Sequence, residues 1–402
     1  MTSPLLIVWG VSTMSGWGVY GLNLLRHWQG VSGSPAYTVG QIHLQSLAGM
    51  DPLSLRALAP VLVESDQMRI RREAHPEEAA HFDGLVLHAL GNRFSGTPWP
   101  STGGITGHST SAVIFFENTI LPDAARIGSE YELIVAGSTW CEDVLRGNGV
   151  GNVKTVIQGV DPSLFHPAPK SGALEDRFAV FSGGKLEHRK AQDLVVLAFK
   201  AFSLRHPEAI LVTAWHSPWP QAAASIVNSG VVPVTFQADG KIDMGGWVAA
   251  NGIGSEQFID LGELPNHLMA RVLREMDVAV FPNRCEGGTN LVAMECMACG
   301  LPTIVSDNTG HKDLVATGAP YVLTRQDPVA SPLGHGTDGW GESDVDEIVE
   351  MLEAVWADRD KARRQGLVGA EAMAKWSWRQ QIMCLRDALG AVNESQDSPH
   401  RH

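Results

Sequence analysis

A chain of 402 residues with 44% hydrophobic and 18% charged residues has a globular composition, and its length suits two domains that each bury a core. Its formal net charge of −14 argues against nucleic acid as a partner, and residues 1–170 hold 10 Lys and Arg against 14 Asp and Glu, which leaves no clear membrane-binding feature. No stretch approaches the length of a membrane span, the start lacks the positive residues of a targeting signal, and five scattered cysteines suit a reducing cytoplasm.

The chain opens with Leu5-Leu-Ile-Val-Trp9, apolar throughout, as expected of a buried parallel strand. A Gly-rich loop over 10–18 and an apolar-periodic helix over 19–28 follow, the start of a doubly wound domain with ligands expected on the loop side. Leu85-Val-Leu-His88 predicts a strand with His88 at its end, where site residues of α/β sheets tend to sit; the alternative is a structural histidine. Residues 95–109 are rich in Gly, Ser and Thr, and 111–118 predict another buried strand that runs into Glu117 and Asn118. Residues 133–136 read as a strand, 137–145 as a capped helix and 153–157 as a further strand, before a Pro-, Lys-, Ser- and Gly-rich linker at 167–173. The first domain is therefore placed at 1–170 and the second at 171–375.

The second domain repeats the opening pattern. Phe178-Ala-Val-Phe-Ser182 predicts a strand, Gly183-Gly-Lys-Leu-Glu-His-Arg-Lys-Ala-Gln192 a basic Gly-Gly loop, and 193–202 a helix. Strands at 209–214 and 257–261 and a helix over 264–276 continue the alternation of a parallel sheet. Trp215-His-Ser-Pro-Trp219 either lines a pocket or packs in the core.

Next, Asp277-Val-Ala-Val-Phe281 predicts a strand, Glu286-Gly-Gly-Thr-Asn290 a turn, and 291–299 a helix apolar at nearly every position and so buried on all sides. Gly300 and Pro302 stop it before a strand at 303–305. Glu295 alone breaks the apolar pattern, and a carboxylate there costs several kcal/mol, roughly, unless a partner or ligand satisfies it. The two glycines let a ligand approach the backbone, and free N–H groups at a helix start attract anions. Together they describe a pocket with an anionic group at the helix tip and hydroxyls read by Glu286 and Glu295, the two parts of a nucleotide-diphosphate sugar. The plainer alternatives are a simple turn and a Glu295 paired with a buried Arg or Lys. Cys296 and Cys299 read as core packing, since no second pair has metal-ligand spacing.

Residues 324–345, rich in Gly, Pro and Asp, predict a long surface loop or insertion. A helix over 343–357 and others to Leu389 follow, and the tail over 393–402 is polar.

The stretch from Glu286 to Pro302 resembles the donor-binding signature of retaining GT-B glycosyltransferases, in the glycogen-synthase-like superfamily of the group 1 type. In that family two glutamates flank seven residues and a Met-Ala-Cys-Gly-x-Pro run follows; here Glu286 and Glu295 flank eight, and Met297-Ala-Cys-Gly-Leu-Pro302 matches the run. The resemblance implies an α/β fold of two Rossmann-like doubly wound domains facing a central cleft. A last helix over 376–392, near Trp376-Ser-Trp378, would cross back onto the N-terminal domain, and the segment Gln158-Gly-Val-Asp161 would close that domain.

The same resemblance implies roles. Glu295 would bind the ribose and Glu286 the sugar hydroxyls, with Gly287, Gly288, Thr289, Asn290 and Leu291 around sugar and phosphate. After Gly184, Lys185 takes the place of a family Arg and Lys190 that of a family Lys, both toward the diphosphate. Ser15, Gly16 and Gly18 would approach the donor phosphates and the acceptor. His88 matches a histidine that often ends its strand, and Glu117 stands near where many members carry another histidine; a carboxylate there would accept the acceptor proton, hydrogen-bond the sugar or merely cap the next element. Glu286, Lys185, Lys190, His88 and Glu117 are thus the catalytic candidates.

The implied activity is sugar transfer, with retention, from a UDP- or GDP-sugar to a hydroxyl acceptor in glycan or glycoconjugate biosynthesis, with neither metal nor cofactor. Two other readings share the architecture: a sugar-nucleotide epimerase or hydrolase, and a non-catalytic sugar-nucleotide-binding subunit, which the shifted Glu286 and the absent histidine near Glu117 suggest.

Overall fold

A computed structural model describes residues 3–47, 49–76, 78–92, 94, 104–216, 218–227 and 230–396. Residues 95–103 of the Gly/Ser/Thr-rich stretch, Ser217 and the tail from 397 lie outside them. The chain forms two compact units: 1–159 with 265–267 and 376–402, and 160–264 with 268–375.

In the first unit, β1 (Leu5–Ile7), β2 (Ala36–Thr38), β3 (Ala80–Leu90), β4 (Ile105–Ile114), β5 (Ile134–Ala136) and β6 (Val153–Thr155) form one parallel sheet in the order β2-β1-β3-β4-β5-β6. The opening loop leads into the helix Gly16–Ser32, where Ser15 Oγ accepts the Gly18 N–H at 3.2 Å and a left-handed Gly33 ends the run. A Cβ on Gly18 would lie 2.1 Å from Ser12 Oγ, so the loop returns too close to this helix for any side chain there.

Two strands differ from expectation. β3 continues past His88, because Ala89 and Leu90 pair with Val113 and Ile114 of β4; His88 lies inside the strand, not at its end. β4 stops at Ile114, so Glu117 and Asn118 belong to the loop beyond it, where both backbone N–H groups donate to Asn92 Oδ1.

The last helix, Trp378–Gln396, belongs to the first unit. Trp378 stacks on Tyr20 with ring centres 5.6 Å apart, and Gly159 passes so close that a Cβ there would lie 2.5 Å from the Trp378 Cα. Arg386 also donates to the Val31 carbonyl at 2.6 Å.

In the second unit, β7 (Phe178–Gly183), β8 (Ala209–Ala214), β9 (Phe258–Asp260), β10 (Val278–Phe281), β11 (Thr303–Ser306) and β12 (Tyr321–Leu323) form a second parallel sheet, ordered β12-β11-β10-β7-β8-β9. All six residues of β7 are buried, and Phe178, Val180, Val280 and Ile304 of the sheet pack with Phe199 and Trp247 in one hydrophobic core. Because β11, β10 and β7 are neighbours, the loops that leave their carboxyl ends emerge side by side. That register brings residues 184–191, 282–290 and 307–311 together.

The expected long loop at 324–345 is tied down at both ends. β13 (Gln326–Asp327) and β14 (Glu342–Ser343) pair antiparallel, and Asn308 Nδ2 donates to Gln326 Oε1 at 2.8 Å and to the Gly341 carbonyl at 3.2 Å. Among the described residues, no helix is long and apolar enough to cross a membrane.

Replacing Trp378 by Ala should remove the stack on Tyr20 and cost about 3–5 kcal/mol, the usual loss for a buried Trp. Arg379→Ala, which removes one long contact to the Gly30 carbonyl at 3.5 Å, should cost no more than about 0.5 kcal/mol. Urea unfolding of both variants against the parent checks the difference.

Candidate active site

The second unit's site is built on two Gly-rich turns. Gly184 takes a positive φ of 108° as the chain leaves β7, a conformation few other residues adopt, and the loop then folds over the ends of β7 and β8. After β10 the chain turns through 282–290 into the buried helix Leu291–Ala298. Between these turns the charges alternate. Lys185 pairs with Glu187 at 2.8 Å, Glu187 with Arg189 at 2.8 Å, Arg189 with Glu286 at 3.3 Å, and Glu286 with Lys190. Asn283 Nδ2 also donates to Glu286.

Three cations and two carboxylates leave this ladder one positive charge in excess. Burial alone would raise the Glu286 carboxyl, but Lys190 and Arg189 outweigh it and hold the group down at about 2. Glu286 is therefore a carboxylate at neutral pH. Lys185 lies at the open end, 5.8 Å from the centre of the Trp219 ring.

The turn 287–290 leads from Glu286 into the helix. Asn290 takes the left-handed φ of 65° and caps the helix with its side chain, which accepts from the Ala293 N–H at 3.4 Å. Thr289, fully buried, donates to the Met294 sulfur at 3.0 Å, which turns its hydroxyl inward. Glu295 is 5% exposed on the second turn of the helix. Leu291 and Val292 are half-buried, so the helix is enclosed from Ala293 onward and not on all sides; its first turn lies at the surface of the turn region.

A third turn, from β11, closes the site from below. Glu286 N–H donates to Thr309 Oγ1 at 2.8 Å, and Gly310 N–H donates to the Glu286 carbonyl at 3.0 Å. A Cβ on Gly310 would lie 1.9 Å from the Gly288 carbonyl oxygen, so the two turns touch backbone to backbone. His311, with no exposed surface, meets Asn290 Nδ2 through Nε2 at 3.0 Å and Ser306 Oγ through Nδ1 at 3.0 Å. Burial pulls its imidazole down to about 4.

Beneath the turns, Arg284 and Asp193 are fully buried and form a two-pronged pair at 2.9 and 2.7 Å. Glu342 reaches the same guanidinium at 2.5 Å, and Arg284 Nη1 also donates to the His188 carbonyl at 2.7 Å.

Of the residues expected from the sequence, Glu286, Lys190, Gly184 and the turn 287–290 come together around one set of strand ends. Arg189, Asn283, Arg284 and His311 join them without having stood out in the sequence. Arg189 stands inside the quoted basic loop. His311 follows a glycine turn at the carboxyl end of β11, where the strand-end rule for parallel sheets points.

The first-unit candidates occupy their own surroundings. Ser15 and Gly18 form the cap at the helix start described above, with Gly16 as the first residue of that helix. His88 is buried against Tyr131, its ring nitrogen Nε2 bonds the Ile105 carbonyl at 2.9 Å, and burial lowers its basicity. Cys296 and Cys299 are buried free thiols, and burial pushes Cys299 up to about 12; among the described residues no group of three or more His, Cys, Asp and Glu is placed to hold a metal ion.

Two doubly wound parallel sheets, each with its Gly-rich loop after the first strand, make this a GT-B fold, as the structural likenesses bear out. The structure of Anabaena HepE in complex with UDP superposes with a TM-score of 0.61 at 13% identity over 97% of this chain and 100% of that one. More particularly, residues 221–332, which include the turn 286–290 and Glu295, match the family model for Glycosyl transferases group 1. A mannosyltransferase of Mycolicibacterium smegmatis, named GDP-mannose-dependent alpha-(1-6)-phosphatidylinositol monomannoside mannosyltransferase, is 27% identical over 60% of this chain and 56% of its own. A D-inositol 3-phosphate glycosyltransferase of Nocardia farcinica is 32% identical over 62% of this chain and 49% of its own. The chain thus spans about half the length of these relatives, and the resemblance to the group 1 glycosyltransferases read from its motifs is borne out.

Acid should weaken the fold through His311. Its folded value near 4 lies below the ordinary value of about 6.5, so between the two the unfolded chain binds more protons and stability rises with pH. The contribution is complete above pH of about 6.5 and about 3 kcal/mol is lost by pH of about 4. Glu286, held at about 2, adds a further loss as the pH falls below about 4.5. Urea midpoints measured from pH 7 to pH 4 should fall for the parent and fall less for His311→Gln.

Proposed function

We propose that this chain is a retaining glycosyltransferase that moves a sugar from a UDP- or GDP-sugar to a hydroxyl acceptor, in glycan or glycoconjugate synthesis. The observation that carries this reading is the convergence of Lys190 and Arg189, from the loop after β7, on Glu286, from the turn after β10. A diphosphate needs cations and backbone N–H groups; a sugar needs carboxylates and amides; this place offers both side by side. The family match over the same turn supports it, as do the relatives named for glycosyl transfer and the UDP complex of the Anabaena protein.

In this reading the bond between the anomeric carbon and the phosphate oxygen breaks while the acceptor oxygen bonds the same face of that carbon. The acceptor proton passes to the departing phosphate. Negative charge grows on the leaving diphosphate, and Lys185, Arg189, Lys190 and the start of the helix Leu291–Ala298 stabilise it. Glu286 accepts from the sugar hydroxyls and Glu295 from the ribose. As a diphosphate arrives, Lys190 is shared between it and Glu286, which frees carboxylate lone pairs for the sugar. With three cations at the leaving group, the chemistry proposed here uses no metal.

Calorimetric titration with UDP-, GDP- and ADP-sugars should show one donor that binds, and Glu295→Ala should weaken it by about tenfold to a hundredfold. If no donor binds, or the variant binds equally well, the ribose assignment falls. Nucleotide release that depends on an added acceptor separates a transferase from a hydrolase or a silent binder.

A further inference from the structure

The donor turn is held by residues outside its own motif. Thr309, Gly310 and His311 touch it at three places: Thr309 Oγ1 accepts from Glu286 N–H at the start, Gly310 lies against Gly288 in the middle, and His311 meets Asn290 at the end. The last contact is the least expected. Asn290 has a left-handed backbone, and its own cap hydrogen bond is long, at 3.4 Å. Such a conformation persists only where its surroundings enforce it.

The proton positions along this line follow from the partners. Ser306 Oγ–H donates to the Asn283 carbonyl at 2.7 Å, so toward His311 Nδ1, 3.0 Å away, that oxygen can only accept. Nδ1 therefore carries the imidazole proton and Nε2 is bare. Asn290 Oδ1 accepts from Ala293, which turns Asn290 Nδ2 toward that bare nitrogen. One continuous line of donors results, from Ala293 N–H through Asn290, His311 and Ser306 to the carbonyl of Asn283, and Asn283's own side chain donates to Glu286. Both ends of the line lie on the segment that carries the proposed donor contacts.

We propose that His311 is a positioning residue of the donor site: its unprotonated Nε2 accepts the Asn290 amide and so fixes the left-handed turn that presents the 287–290 backbone to the donor. This rests on the function proposed above, but the geometry of the turn can be tested apart from it. The charged groups that face the imidazole are Glu286, Lys190 and Arg189, and the ring itself stays neutral at physiological pH.

Two substitutions separate positioning from mere filling of space. In His311→Gln the side-chain carbonyl can take the place of Nε2 and accept from Asn290. In His311→Asn the shorter amide reaches Ser306 but not Asn290. Titration with UDP and GDP should find the nucleotide bound by the parent weakened by about threefold or less in His311→Gln and by about tenfold or more in His311→Asn. Hydrogen exchange at the Ala293 amide should quicken in the Asn variant and stay slow in the Gln variant, while both lose comparable thermal stability. Equal binding loss with equal exchange in the two variants would overturn the proposal, and so would an Asn variant that behaves like the parent. If the parent binds neither nucleotide, the proposed function fails, and the positioning claim is then decided by exchange at Ala293 and by imidazole ¹⁵N shifts. A proton on Nε2, or equal exchange in the variants, would refute it.

Discussion

Arg284 has no exposed surface, and it carries a full positive charge into the interior of the second unit. Burial alone would make that guanidinium easier to neutralise, but Asp193 and Glu342 more than offset the effect and keep it charged. The cost of removing such charges from water is several kcal/mol per ion, by a rough estimate, and it is recovered only where the geometry is good and the remaining protons are satisfied. Here the two-pronged contact to Asp193, the contact to Glu342 and the bond to the His188 carbonyl meet that condition. The backbone of the same residue joins in, since Arg284 N–H donates to the Arg189 carbonyl and Gly341 N–H donates to the Arg284 carbonyl. One side chain thus ties the loop after β7, the turn after β10 and the β13–β14 hairpin into a single block. Without it the residues above would have no common floor.

On that floor the charge ladder follows a simple logic. Each cation from the basic loop already has a carboxylate partner, so an unliganded site does not leave three like charges to repel one another at close range. A ligand that brings both negative charge and hydroxyl donors can compete for the cations while compensating the carboxylates it displaces. A bare phosphate supplies only the first of these. A nucleotide-diphosphate sugar, the donor proposed above, would supply both, and alternating charge would suit it better than a purely basic pocket.

Much of the fold was legible in the sequence, because its signals are local. Apolar runs such as 178–182 and 277–281, each followed by a Gly-Gly loop or turn and an apolar helix, announce parallel strands within a few residues of where they occur. The turn at 286–290 and the buried glutamate behind it were legible for the same reason. Contacts between distant segments were not. Glu286 and Lys190 are 96 positions apart, and nothing in either loop says that the carboxylate of one will hold the ammonium of the other. Arg284 reads as one more basic residue in a turn until the sheet order brings Asp193 and Glu342 around it. At His88 the apolar run stops in the sequence, but the strand continues because β4 continues to pair with it. The 324–345 segment looked like a free loop since Gly, Pro and Asp dominate it, and its two-residue ladder is too short to leave a periodic signal.

Eight residues separate Glu286 from Glu295, where the pattern they resemble has seven. An added residue inside the helix would rotate Glu295 by about 100° and turn it away from the face it shares with its neighbours. Placed before the helix, it changes only the path by which the chain reaches the first turn. The left-handed backbone of Asn290 lies just before the helix, and asparagine adopts it more readily than most residues with a side chain. Thr309, Gly310 and His311 restrain the turn from β11, the strand next to β10 in the sheet. The order of strands in the second sheet therefore does more than gather the loops: it lets one loop brace another, so that the turn 286–290 is held at three places.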